Sequence, residues 1–153
     1  MNFLSEMIRA VDGLILRIFL SDSDLSERNE EFIHEAGDYD SNKSTIVRDT
    51  YGTIDVKATA VLQHVSIMIA VSGLLYSQAA SKFFRFGFSG EMLLYVILAL
   101  FCLRLLMVQH VSPSYSDAQN VVAKEAVLDL TAKLTFMISV ALVLTVVAEV
   151  VVK

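Results

Sequence analysis

Three stretches of this chain are apolar over a length that matters for a lipid bilayer. Ala58 to Ser81 is 24 residues without a formal charge when His64 is neutral, and Met92 to Val108 is interrupted only by Arg104. From about Leu130 to Val152 the only charges are Lys133 and Glu149. About 20 helical residues at about 1.5 Å each cross a hydrocarbon core of about 30 Å. The pattern therefore predicts an all-α membrane protein with spans at about 58–81, 92–111 and 130–152. Lys82 to Glu91 reads as the connection between the first two, with Phe83, Phe84, Phe86 and Phe88 as interfacial aromatics. Pro113 should stop the second span, and Ser116 or Asp117 should cap a long helix that runs without Pro or Gly from Ala118 to Val152. Lys133 to Glu149 brackets 15 apolar or hydroxyl residues, about 22 Å of helix, so both end charges should snorkel.

Ahead of the spans the periodicity changes. In Asn2 to Leu20, the residues Leu4, Met7, Ile8, Val11, Leu14, Ile15 and Ile18 recur at helical spacing, which predicts an amphipathic helix over 1–20. It either lies in the membrane interface or packs on the protein itself. Its start is not basic and charges interrupt its apolar run, so it does not resemble a signal peptide. Residues 21–57 read as an acidic helical segment. Ser23 or Asp24 is placed to cap a helix over Leu25 to Ala36, Gly37 to end it, and DYDSNKS to form a loop. A second pattern begins near Ser44 or Thr45 and continues into the first span, weakened at Gly52.

Composition agrees with a membrane setting: 55% of residues are hydrophobic, 19% are charged and mean hydropathy is +0.59. Charge is divided unevenly. Residues 1–57 hold 6 of the 12 basic and 12 of the 17 acidic side chains, a local charge of −6, while the remaining 96 are net +1. An acidic chain lacks the basic face that nucleic acid requires, so no direct nucleic-acid partner is expected. Near the span ends, Lys43, Arg48, Lys57, Arg104, Lys124 and Lys133 fall on one side, against Lys82, Arg85 and Lys153 on the other. This bias predicts a cytoplasmic N-terminal side. One cysteine, Cys102, and three scattered histidines predict neither a disulfide nor a metal site, and no cofactor motif is present.

Ionisable residues near or inside a span are costly and are candidates for function by default. Asp55, Lys57, His64, Arg104, Asp129 and Lys133 are predicted to share one leaflet as a polar belt, with Asp129 facing Arg104 and also spaced i,i+4 from Lys133. The belt either couples the cytoplasmic segments to the bundle or is structural pairing, and His64 is either an interhelical donor or a proton relay. Ser66, Ala70, Gly73 and Ser77 form a stripe of small residues that suits close packing in lipid, within the chain or between copies. Three helices cannot enclose an aqueous pore, so a channel would need several copies. Arg28 to His34 fits the loose Arg…His spacing of HEPN ribonucleases, as does Arg104 to His110 inside a span that RNA cannot reach. Catalysis is not expected from so cheap a motif.

The text TIDVKATAVLQHVSIMIAVSGLLYS resembles a signature of small transmembrane effectors in bacterial cyclic-nucleotide anti-phage systems of the Pycsar and CBASS type. Asp55, Lys57 and Ala58 match that family's Asp-x-Lys-Ala element, and the helix order matches over roughly Thr45 to Val152. The resemblance implies an inner-membrane protein that disrupts membrane integrity when infection is sensed. The expected partners are the lipid bilayer, further copies of the chain as a homo-oligomer, and a cytoplasmic protein of the defence system. The alternatives are a non-conducting structural, assembly or immunity subunit of a larger membrane complex, and a membrane-tethered HEPN-like ribonuclease.

Overall fold

The computed structural model describes residues 22–35, 37, 39–107 and 115–152. The amphipathic helix expected over 1–20, the stop at Pro113, His110 and Lys153 lie outside them. Four helices make up the described chain, with no strand among the described residues: α1 (Asp22–Glu35), α2 (Tyr39–Gln78), α3 (Lys82–Met107) and α4 (Asp117–Val152). The last three are long and apolar enough to cross a membrane. The protein is a multi-pass, all-α membrane protein.

Local chemistry explains most of the boundaries. Gly37 stops α1 with φ +60°, a left-handed conformation that glycine adopts without a Cβ penalty, and its N–H reaches the His34 carbonyl at 3.2 Å. α1 already runs from Asp22, so the backbone at Ser23 and Asp24, where the cap was expected, is helical. The segment expected as a loop is largely helical as well: α2 starts at Tyr39 and absorbs a kink at Asn42, with φ −121° and ψ 18°. The bend is confined to one residue, so the helix on either side keeps its ladder. α4 starts where its cap predicts. Ser116 Oγ accepts the Gln119 N–H at 3.2 Å while Gln119 Oε1 accepts the Ser116 N–H at 2.9 Å, a reciprocal capping box.

The second span begins earlier than its hydropathy suggests. Only Ala79, Ala80 and Ser81 connect α2 to α3, and the expected connection of Lys82 to Glu91 is the first part of α3 itself. Ser81 Oγ caps it by accepting the Phe84 N–H at 3.4 Å. Phe84 and Phe88, one turn apart, are buried inward, while Phe83 and Phe86 are exposed on the outside. Charges at Lys82 and Arg85 sit on a helix that its phenylalanines hold in place.

The described residues divide into two compact units. One draws on residues up to Val56 and on Met107–Leu128, the other on Lys57–Leu106 and on residues from Asp129 onward. In the first unit Leu25 of α1 packs on Val122 and Ala123 of α4, with Phe32, Tyr115 and Val127 around them. The second unit is a three-helix bundle whose core holds Val65, Ala79, Phe84, Phe88, Tyr95, Leu98 and Leu142. Cys102 is buried in it on α3.

Gly52 lies inside α2, is exposed, and would place a Cβ in open space. Gly52→Ala is therefore expected to stabilise the protein by roughly 0.5–1 kcal/mol through helix propensity alone. A higher midpoint of thermal unfolding in detergent would record it. A lower midpoint would mean that the glycine meets something outside the chain.

Candidate functional site

Within the bundle of the second unit, the inward face of α4 is polar. Thr131, Thr135, Ser139, Thr145 and Glu149 recur at steps that keep them on one side of the helix, and Thr131, Thr135 and Glu149 are buried. A hydroxyl in a span must satisfy itself locally. Thr135 donates to the Thr131 carbonyl at 2.8 Å and Ser139 to the Thr135 carbonyl at 2.8 Å, while the single proton of Thr145 Oγ1 is shared between the Ala141 carbonyl at 3.0 Å and Glu91 Oε1 at 2.8 Å. From Thr131 to Glu149 the seam covers about 27 Å of helix, close to the thickness of a hydrocarbon core.

Side chains from the other two helices meet this seam. Ser139 Oγ lies 2.9 Å from Tyr95 Oη of α3 and 3.1 Å from His64 Nε2 of α2. Its single proton goes to the Thr135 carbonyl, so the serine oxygen accepts from both neighbours. That arrangement calls for a proton on His64 Nε2. One turn back along α3, Glu91 Oε1 accepts from Thr145 Oγ1 at 2.8 Å, while Glu91 Oε2 is shielded from solvent with no hydrogen-bond partner among the described residues. Further along α4, Glu149 Oε1 accepts the Ala80 N–H at 3.0 Å. A groove of about 390 Å³ opens beside His64, between Ala60 and Val61 of α2 and Ala132 and Phe136 of α4.

The first unit has its own polar cluster. Lys124 of α4 is almost fully buried, and its Nζ donates to Asp55 Oδ1 at 2.8 Å. The same ammonium stands 5.1 Å from the centre of the Tyr51 ring, a cation–π contact. Next along α4, Asn120 donates to the carbonyls of Tyr115 and Ser116 at 3.1 and 3.2 Å, tying the helix to its cap. A lone buried ammonium would carry a large desolvation cost, which the carboxylate and the ring together offset.

The six belt residues are thus distributed. Asp55 is paired outside the set, with Lys124. Asp129 and Lys133 form an exposed i,i+4 pair at 2.9 Å. Lys57 is exposed, Arg104 is half-buried in the last turn of α3, and His64 belongs to the Ser139 cluster. In the stripe, Ser66, Ala70 and Ser77 are exposed and Gly73 has open space where a Cβ would stand. Its face is turned away from the chain's own core. Arg28 and His34 are both exposed on α1, six residues apart and so about 120° apart around the helix.

Tyr95, Glu91, Lys124 and the hydroxyls of α4 were not among the expected site residues. The four-residue steps Thr131–Thr135–Ser139 and Thr145–Glu149 were available as a signal, since hydroxyls and a carboxyl at helical spacing mark an interhelical face in lipid. Lys124 carried no such mark, because its partner is 69 residues away. No protein family, curated protein or solved structure matches this chain.

Proposed function

We propose that this chain is a bacterial inner-membrane effector or accessory protein of anti-phage defence that self-associates and perturbs membrane permeability, with its N-terminal side in the cytoplasm. The observation that carries the reading is the outward stripe of Ser66, Ala70, Gly73 and Ser77. Its two serines satisfy their own hydroxyls, Ser66 on the Leu62 carbonyl at 2.8 Å and Ser77 on the Leu74 carbonyl at 2.7 Å. The face is left small and without an unmet polar group, so a second copy can approach closely and gain dispersion contacts. The defence role comes from the resemblance around Asp55, Lys57 and Ala58, and a polar cytoplasmic segment supplies a place for a partner protein. This reading assigns no enzymatic step to the chain.

Expression in bacterial cells while membrane potential is followed with a voltage-sensitive dye tests the proposal. Depolarisation is expected, together with oligomers captured by cross-linking through a cysteine placed at Ser77. Gly73→Leu should reduce both by tenfold or more, because a bulky residue on the stripe holds the copies apart. A monomer in native mass spectrometry with no depolarisation overturns the reading. A second reading, a non-conducting subunit of a larger membrane complex, is favoured by the exposed carboxylates Glu27, Glu30, Glu31 and Glu35 on α1. Co-purification with one different protein in fixed ratio, without homo-oligomers, would support it.

A further inference from the structure

We infer that the groove between α2 and α4 binds an anionic glycerophospholipid, with one acyl chain laid along the groove and the phosphodiester on Lys57. The groove and Lys57 both belong to the second unit.

The groove suits hydrocarbon. Ala60 and Val61 of α2 face Ala132 and Phe136 of α4 across a volume of about 390 Å³. The alanines leave the room, and the valine and the phenylalanine supply contact surface. His64, Thr135 and Ser139 also line it, but their hydrogen bonds run within the protein. His64 Nε2 pairs with Ser139 Oγ at 3.1 Å, and the two hydroxyls donate to the Thr131 and Thr135 carbonyls at 2.8 Å. A chain of methylenes placed here needs no hydrogen bond. It gains dispersion contacts on two sides, which a single convex helix surface does not offer.

Sequence register puts a cation at the mouth. Lys57 is the last charge before the apolar run from Ala58 to Ser81, so its ammonium stands at the level of the lipid headgroups. It precedes Ala60, Val61 and His64 by three, four and seven residues, spacings that keep all four on one side of α2. Helical side chains lean toward the helix N-terminus, which here turns the lysine away from the hydrocarbon. From Lys57 to His64 is about 10 Å of helix, a depth that an acyl chain covers and a headgroup alone does not.

Charge then selects the lipid. Lys57 is exposed and makes no ion pair or hydrogen bond among the described residues. Its neighbour across the groove on α4, Lys133, is already held by Asp129 at 2.9 Å. A phosphodiester supplies the missing opposite charge, and an attached acyl chain begins at the depth where the groove begins. Phosphatidylglycerol keeps that charge, whereas the ammonium of phosphatidylethanolamine cancels it.

Self-association does not compete for this surface. At about 100° per residue, Ser66, Ala70, Gly73 and Ser77 centre about 160° around α2 from Ala60, Val61 and His64. A copy docked on that stripe leaves the groove open to lipid, so the lipid site stands or falls apart from the proposed function.

Native mass spectrometry of the full chain in non-ionic detergent tests the site, with phosphatidylglycerol and phosphatidylethanolamine of matched chains added in turn. Wild type should retain phosphatidylglycerol at least tenfold more strongly. Lys57→Gln should lower that retention fivefold or more and leave phosphatidylethanolamine unchanged, while Lys57→Arg restores it. Lys82→Gln, at the far end of the α2–α3 hairpin, should alter neither. Ala132→Leu fills the groove and should weaken both lipids fivefold or more. If that variant does not fold, Ala60→Leu on the opposite wall decides by the same criterion. Equal retention of the two lipids, or indifference to Lys57→Gln, overturns the inference. Displacement by excess inorganic phosphate overturns it as well, because the site then reads a free anion. Loss of oligomers in Ala132→Leu with lipid retention intact gives the groove to a second copy and has the same effect.

Discussion

Asp55→Ala is expected to destabilise the protein by on the order of 3 kcal/mol, whereas Lys124→Met should cost less than about 1 kcal/mol. The two residues make the same 2.8 Å ion pair, but its members are unequally buried. The Lys124 side chain is 2% exposed and that of Asp55 46%. Removing the carboxylate leaves an ammonium in the interior with the Tyr51 ring beside it, and that contact is worth about 0.5–2 kcal/mol. Removing the ammonium leaves a carboxylate that water already reaches, and methionine fills the space of the lysine stem. The double variant should therefore be more stable than Asp55→Ala alone. Unfolding midpoints in detergent for the three variants check this, and equal costs for the two single changes would contradict it.

Ser139→Ala is expected to cost about 2 kcal/mol, and Tyr95→Phe closer to 0.6 kcal/mol. The serine oxygen serves two donors at once, and one of them, Tyr95, is fully buried. Alanine leaves that phenol with an unmet donor in a span, while phenylalanine at 95 removes donor and need together. Ser139→Thr keeps the oxygen and should behave like wild type. The same unfolding measurement orders the three, and a larger loss for Tyr95→Phe than for Ser139→Ala would mean that Ser139 is not the shared acceptor.

What could be read ahead of the structure follows the range of the forces involved. The three spans announce themselves because transfer of an apolar segment into lipid depends on composition over about 20 residues and on little else. The glycine stop at Gly37 and the cap at Ser116 were legible for a related reason: each is a backbone requirement met within four residues. The start of α3 misled, because Lys82, Arg85, Gly87 and Gly90 resemble a polar connection, and only the inward packing of Phe84 and Phe88 makes the segment helical. The belt was drawn from charge alone, which locates a group along the bilayer normal but not around a helix. Lys124 therefore went unpaired with Asp55, and the His64 side chain could not be joined to Ser139 across 75 residues of sequence. Threonine and serine in α4 counted as neutral in hydropathy, although their spacing is what makes the face.

The three-residue turn between α2 and α3 has a consequence for how the protein is made. The turn's Ala80 amide is hydrogen-bonded by Glu149, which the ribosome adds 69 residues later. A hairpin of α2 and α3 can enter the membrane as soon as both helices are complete, but its turn keeps one donor open until α4 has been synthesised and inserted. Maturation of the bundle is thereby tied to arrival of the last described helix, and a chain halted before Glu149 would carry a hairpin whose turn is still unfinished.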